Sequence, residues 1–448
     1  MKPVFSPTLL ALAVTLAGSG LAQADTAQAN TAASAATLQQ QVDQLNKQLA
    51  DMKNELDAVA AAQGSGGTSP KLAEFEKLSL WGYGEIYYAR PTHISRDTQA
   101  DLARGVFGIG YQFDDSTRFN SEYEVEHGVS SATDVGEFEV EQLYIDHKVN
   151  DGYSVETGLF LIPSGLLNES HEPTNFYGVQ RNFVEKLIIP STWREGGVAL
   201  HGDTSGGLRW SAGLTTGPDL SKWSFTPETP TYNTALDLEN NDTAPLQATH
   251  QELALANAQH LSQYLSLNYL GVAGVDLGGS IFTGLASQSA TSTNERVTLW
   301  ETHSRWTPGK FDLSALYAHG SISNTESANI LYPGASNPLP ASFYGYFGQI
   351  AYNAWQSGNS HISPFVRAER FNMADSVEGL APGYGAVPSG PVALDNGTVS
   401  YWPKPADTVY TVGANYYLTP NVVFKADYQD FRVNRDFSRF DLGMGLAF

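Results

Sequence analysis

The chain has 448 residues and no cysteine, which excludes a disulfide framework, thiolate metal sites and cysteine catalysis. Its 47 Asp and Glu outnumber 25 Lys and Arg, a formal charge of −22 that speaks against nucleic acid as a partner. Only 16% of residues are charged, while there are 42 glycines, 22 tyrosines and 21 phenylalanines, a profile that fits alternating membrane strands better than two or three soluble domains.

The first segment, 1–24, reads as a signal peptide. Lys2 is its positive end, Leu9 to Leu16 form a short apolar core, and Ala22-Gln23-Ala24 is a small-residue cleavage site. The apolar run is far below the ~20 residues a spanning helix needs. Residues 25–36, rich in Ala and Thr, form a disordered segment. A heptad seam follows over 37–59, with Leu38, Val42, Leu45, Leu49, Met52, Leu56 and Val59 at alternating spacings of four and three. Thr37 and Gln40 suit a capping box at its start. So short a helix is marginal alone, so the seam is expected either to bundle with neighbouring protomers as a coiled coil or to lie against another surface. A linker over 60–77, flexible through Gln63–Pro70, separates it from the rest.

From Leu78 onward the period falls to two. Segments of about ten alternating residues are expected at 78–89, 102–113, 117–127, 137–149, 153–161, 195–201, 208–216, 261–269, 275–284, 295–306, 311–321, 342–355, 361–371, 408–417, 422–433 and 438–448. The fold class is therefore all-β: a 16-stranded antiparallel transmembrane β-barrel over 78–448, with an N-terminal periplasmic coiled-coil helix. Odd strands lead into long connections and even strands into short turns such as Asp114-Asp115-Ser116 and Asn150-Asp151-Gly152. In the last strand Phe440, Leu442, Met444 and Leu446 share one face, and Asp441, Gly443 and Gly445 the other. The terminal Phe448 resembles the insertion signal of bacterial outer-membrane barrels, which implies the barrel insertion machinery as a partner.

Residues 158–200 are too apolar for a solvated loop, with Phe176, Tyr177, Phe183, Ile188, Ile189 and Trp193 among three prolines. They are expected to fold into the lumen and narrow it. The order of Pro163-x-Gly165, Asn168, His171-Glu172-Pro173, Phe176, Arg181, Glu185, Ile189-Pro190 and Trp193-x-Glu195-x-Gly197 resembles the family of phosphate-selective porins O and P. The resemblance implies a homotrimeric channel of sixteen strands in the outer membrane of a Gram-negative bacterium, guiding anions through lumenal bases.

The charges point elsewhere. Between Phe119 and His147 there is no Lys or Arg, yet Glu122, Glu124, Glu126, Glu137, Glu139 and Glu141 occur there and are expected to line the pore. The constricting loop carries His171, Glu172, Arg181, Glu185, Lys186, Arg194 and Glu195, and basic wall candidates are Arg118, Arg209, Arg367, Lys425 and Arg432, scattered rather than laddered. Close carboxylates in a narrow channel attract cations. No G-x-S-x-G, H-E-x-x-H, P-loop or spaced metal set occurs, so no enzyme, cofactor or metal site is expected. The expected activity is passive diffusion of small hydrophilic solutes and ions, weakly selective or cation-preferring. An anion or phosphate channel, and a structural barrel tethering another envelope component, are the alternatives. Expected partners are a homotrimer, the lipid bilayer with its lipopolysaccharide, and small solutes or ions.

Overall fold

The computed structural model describes residues 76–448, except 94, 96–97, 129–135, 226–242, 289–293, 336, 381–390, 394–398 and 402–403. The signal peptide, the segment 25–36 and the heptads of 37–59 lie outside the described residues, as does the linker up to residue 75.

Sixteen antiparallel strands form one closed sheet: β1 (Leu78–Pro91), β2 (Gln99–Gln112), β3 (Thr117–Glu126), β4 (Phe138–Asn150), β5 (Tyr153–Leu161), β6 (Arg194–Asp203), β7 (Leu208–Thr215) and β8 (Ser262–Tyr269), then β9 (Val275–Leu285), β10 (Arg296–Trp306), β11 (Phe311–Ile322), β12 (Pro340–Tyr352, resumed at Trp355–Ser357), β13 (Ser360–Val377), β14 (Ala406–Thr419), β15 (Val422–Phe431) and β16 (Arg439–Ala447). Each pairs with its sequence neighbours, and β16 pairs with β1 to close the ring. Phe448 completes the closure through two backbone hydrogen bonds, its N–H donating to Gly82 O at 2.8 Å and its carbonyl accepting from Gly82 N at 3.1 Å. Closure leaves no unpaired edge. The sixteen strands counted from the sequence are thus the sixteen of the barrel. β13 runs six residues past its expected end because its continuation pairs with the start of β12.

The wall is inside-out relative to a soluble protein. On β14 and β15, Tyr410, Val412, Phe424 and Tyr428 are exposed, whereas Thr411, Asn415, Lys425, Asp427 and Gln429 are buried. Leu214, at 56%, and Leu277, at 54%, continue the exposed apolar surface around the barrel. Such a belt is a liability in water and suits hydrocarbon. No helix among the described residues is long and apolar enough to cross a membrane; the strands are the elements of suitable pattern.

The ends of the barrel differ. Both termini of the described unit and the short turns lie at one end, the long connections at the other. In the turn after β2, the Asp114 carboxylate accepts the N–H groups of Ser116 at 2.8 Å and Thr117 at 2.9 Å. Those bonds, Ser116 first, hold its carboxyl below the usual range.

Inside the ring lies an apolar core. Phe183, Val184, Leu187, Ile188 and Ile189 of the β5–β6 connection pack with lumen-facing Phe282, Leu299, Leu316, Phe343, Phe347, Phe371 and Phe431. Trp223 and Leu246 of the β7–β8 connection join them. The strands from β9 to β15 are therefore apolar on stretches of both faces. This asymmetry fills that side of the lumen and leaves polar space beside β1–β4.

Candidate functional site: a charged lumen narrowed by the β5–β6 connection

Residues 162–193 are tied into a rigid plug before they reach either wall. Asn168 staples the two ends: its Nδ2 donates to the carbonyls of Ile162 and Trp193, and its Oδ1 accepts from Trp193 N at 2.7 Å. Glu185, in the single-turn helix α1 (Val184–Leu187), accepts the backbone N–H groups of Leu166 and Leu167 at 2.6 and 2.8 Å. Gly165 turns there with φ +79°, and a Cβ would meet Glu185 Oε1 at 2.4 Å, so both backbone freedom and space call for glycine.

The plug then docks on β12–β16. Asp427 accepts from Val179 N at 2.6 Å, Glu369 from Phe183 N at 2.6 Å and Asn415 from Gly178 N at 3.1 Å. Arg367 pairs with Glu369 at 2.9 Å and donates to the Tyr177 carbonyl. Lys425 lies 3.4 Å from the centre of the Phe176 ring. The wall beneath is thinned by glycines: a Cβ at Gly445 would meet Pro173 at 2.4 Å, and one at Gly443 would meet Val179 at 3.1 Å. The small inward residues of β16 make room for the plug.

Opposite, the plug touches β1, β2 and β4. The His171 Nδ1–H donates to the Asn168 carbonyl at 2.8 Å, and its Nε2 lies 2.6 Å from the Tyr83 hydroxyl. Burial first, with the Arg181 and Arg104 cations helping and Glu141 opposing, pushes the His171 imidazole down to about 3. A neutral ring makes Nε2 the acceptor of the Tyr83 proton. Arg104 donates to the His171 carbonyl at 2.8 Å and to Glu85 at 2.7 Å.

A cavity of about 370 Å³ opens on the long-connection side of this seam. Its barrel wall presents Glu85, Asp101, Arg104, Glu124, Glu126, Glu137 and Glu139; facing them are Arg181, Lys186 and Arg194, with Glu252 and His250 from the β7–β8 connection. A second cavity of about 280 Å³ lies toward the short turns, lined by Trp81, Arg118, Glu122, Gln142, Glu156 and Glu169. Glu122 and Glu124 are successive inward residues of β3, and each faces a different cavity. The seam of Tyr83, His171 and Glu141 lies between them.

A bulge sets the acidic wall. Glu122 pairs with Gln142 and Tyr123 with Val140, so Glu141 is an extra residue in β4. Such a slip turns two adjacent residues to the same side. Glu141 is fully buried inside, and Gln142 donates to Glu122 at 2.5 Å.

The other expected site residues scatter. Arg209 and Arg432 are exposed, pair with Asp203 and Asp430, and line neither cavity. Arg367 and Lys425 are covered by the plug rather than open to the lumen. Glu195 is buried against Thr216 and Trp193, and Glu172 accepts from Asn175. The sequence reading missed Glu85 and Arg104, though the pleat of β1 and β2 carries the signal for both. Glu252 had no signal, because a long connection delivers it.

No family model matches the chain. An uncharacterized protein of Aquifex aeolicus (strain VF5) is 26% identical over 386 residues, 83% of this chain and 80% of that protein. Among solved structures, Salmonella typhi OmpF in complex with daunomycin superposes with a TM-score of 0.53 at 11% identity, covering 83% of this chain and 97% of that one. The fold is that of the outer-membrane porins. An anion-selective porin from Comamonas acidovorans covers 83% of this porin-fold chain and 99% of its own, with a TM-score of 0.47 at 10% identity.

Proposed function

We propose that this barrel is an outer-membrane porin, a passive diffusion channel for small hydrophilic solutes and ions with a preference for cations. The observation that carries the reading is the charged cavity between the plug and β1–β4, inside a barrel whose outer face is apolar. Seven carboxylates line it against four Lys and Arg, a formal net of three negative charges from those side chains.

The signs are also segregated. Six of the acids stand on the barrel wall, and Arg181, Lys186 and Arg194 stand across from them. Opposed charges across a gap orient the water between them. A hydrophilic solute can replace those hydrogen bonds, whereas an apolar one must break them without return. The path is filtered by polarity as well as by charge.

The three bases facing the wall, Arg181, Lys186 and Arg194, are what favour the alternative, an anion or phosphate channel. Arg194 is already engaged by Glu139 and by Glu252 at 3.0 Å, and the acids remain in excess. The assembly proposed is a homotrimer, as the family resemblance implies, in a bilayer with lipopolysaccharide, and the heptad seam supports bundling of its 37–59 helices in the periplasm. Phe448 serves as the insertion signal, supported by its place at the closing seam.

Planar-bilayer recording of the purified protein in KCl tests the reading. Discrete conductance steps are expected. Their absence from a correctly folded barrel would leave the structural, tethering role.

A further inference from the structure

The sequence shows no metal motif, yet the barrel brings together three carboxylates from two strands. One carboxylate oxygen from each of Glu124, Glu139 and Glu141 lies within 4.8 Å of the others. An acidic cluster by itself means little, since carboxylates crowd many surfaces. Here a second observation singles it out. Glu124 is 3% exposed and Glu141 0%, and in each the Oε1 oxygen is buried without a hydrogen-bond partner. A buried carboxylate oxygen with no donor loses its hydration and gains nothing in exchange.

The surrounding donors do not make up the deficit. The Tyr83 hydroxyl has one proton and two claimants, His171 Nε2 at 2.6 Å and Glu141 Oε2 at 3.0 Å. Arg104 is turned to Glu85 and to the His171 carbonyl, and Arg194 is shared between Glu139 and Glu252. A second grouping, Glu122 with Glu141 and His171, is less open to an ion. Trp81 and Gln142 donate to the two oxygens of Glu122, and both nitrogens of His171 are engaged.

We propose that Glu124, Glu139 and Glu141 bind a divalent cation of the Ca²⁺ type. The donors are all hard oxygens. Ca²⁺ accepts an irregular shell of six to eight such ligands, whereas Mg²⁺ demands a near-ideal octahedron that three carboxylates on two strands do not supply. Glu124 and Glu139 line the 370 Å³ cavity, which gives the ion an entrance and supplies water to complete its shell. The site lies on the solute path proposed above and rests on that reading for its role in permeation, though not for binding. A bound dication lowers the cavity's net charge from three negative to one, so occupancy adjusts the preference for cations.

The test is calorimetric titration of the full chain, chelator-treated in detergent, with CaCl2. One saturable site per chain is expected. Glu141→Gln and Glu139→Gln should each weaken it at least tenfold, while Glu126→Gln, on the same cavity but outside the cluster, should change it less than twofold. Glu139 is partly open to solvent, so Glu139→Gln keeps the test available if Glu141→Gln does not fold. No saturable heat, as for carboxyls that merely share a proton, or equal binding in both cluster variants, would overturn the proposal. Conductance steps in KCl with chelator present report separately on the porin reading, which can fail while Ca²⁺ binding stands.

Discussion

Removing Glu126 and Glu137 as charges should weaken cation preference by a calculable amount. Both line the 370 Å³ cavity and neither belongs to the three-carboxylate cluster. A cavity of about 370 Å³ has an equivalent radius of roughly 4.5 Å, well inside the Debye length of roughly 8 Å at physiological salt. Every wall charge is therefore felt at its centre. With the dielectric constant of water and that screening, each net charge shifts an ion's energy there by about 0.5 kcal/mol. Three net negative charges give about 1.5 kcal/mol, roughly a tenfold enrichment of monovalent cations and a similar depletion of anions. The double variant Glu126→Gln/Glu137→Gln leaves one net charge, and the enrichment should fall to roughly twofold. Reversal potentials across a planar bilayer in a KCl gradient, with chelator present, measure this. The wild type should show the cation sign, and the double variant should move most of the way to zero. An anion sign in the wild type, or a reversal potential indifferent to both substitutions, would refute the reasoning and restore the phosphate-channel alternative.

Three further outcomes are expected, two from the same geometry and one from the heptads of 37–59. Val412→Arg, on a residue 55% exposed on the outer face, should impair insertion by ~2–4 kcal/mol near the bilayer centre, whereas Asn120→Arg, lining the inner cavity, should insert normally; heat-modifiable mobility of refolded barrels compares the two. Asp441 is a poorer inward control than the pleat alone suggests, because it is fully buried against Arg439 at 3.1 Å and an arginine there would bury two cations together. Gly445→Leu places side-chain atoms where Pro173 sits, an overpacking of about 1–3 kcal/mol that the docked plug must absorb; larger single-channel conductance from a barrel of unchanged thermal stability is the expected result, and unchanged conductance would mean that the plug is held elsewhere. A cysteine introduced at Leu45 or at Leu49 should crosslink protomers in the assembled protein, and the lack of any crosslink between protomers at either position would rule out the interchain coiled coil.

Strand number, pleat and closure were legible in the sequence because each is a local pattern. A period of two assigns every residue to one face, whatever its partner strand, and alternating long and short connections order the ends. Tyr410, Val412, Lys425 and Asp427 all lie on the faces their parity implies. The apolar excess of 158–200 likewise announced that this connection needed dry surroundings. What parity could not carry is any slip in register or any meeting of distant segments. Parity already sets Glu141 inward with Glu137 and Glu139, but the bulge turns Gln142 inward beside it, and no local pattern marks that slip. Arg367 and Lys425 have inward parity, but the plug covers them, so a lumen-facing side chain and a pore-facing one are different things. The docking itself depends on glycines at 443 and 445 opposite residues some 270 positions earlier in the chain, and on Glu369 and Asp427 accepting the plug's backbone. The sequence alone thus determined the barrel and its two faces, since side-chain alternation needs only the neighbouring residue. The tertiary structure decided which charges share the passage, because that depends on how the plug divides the lumen.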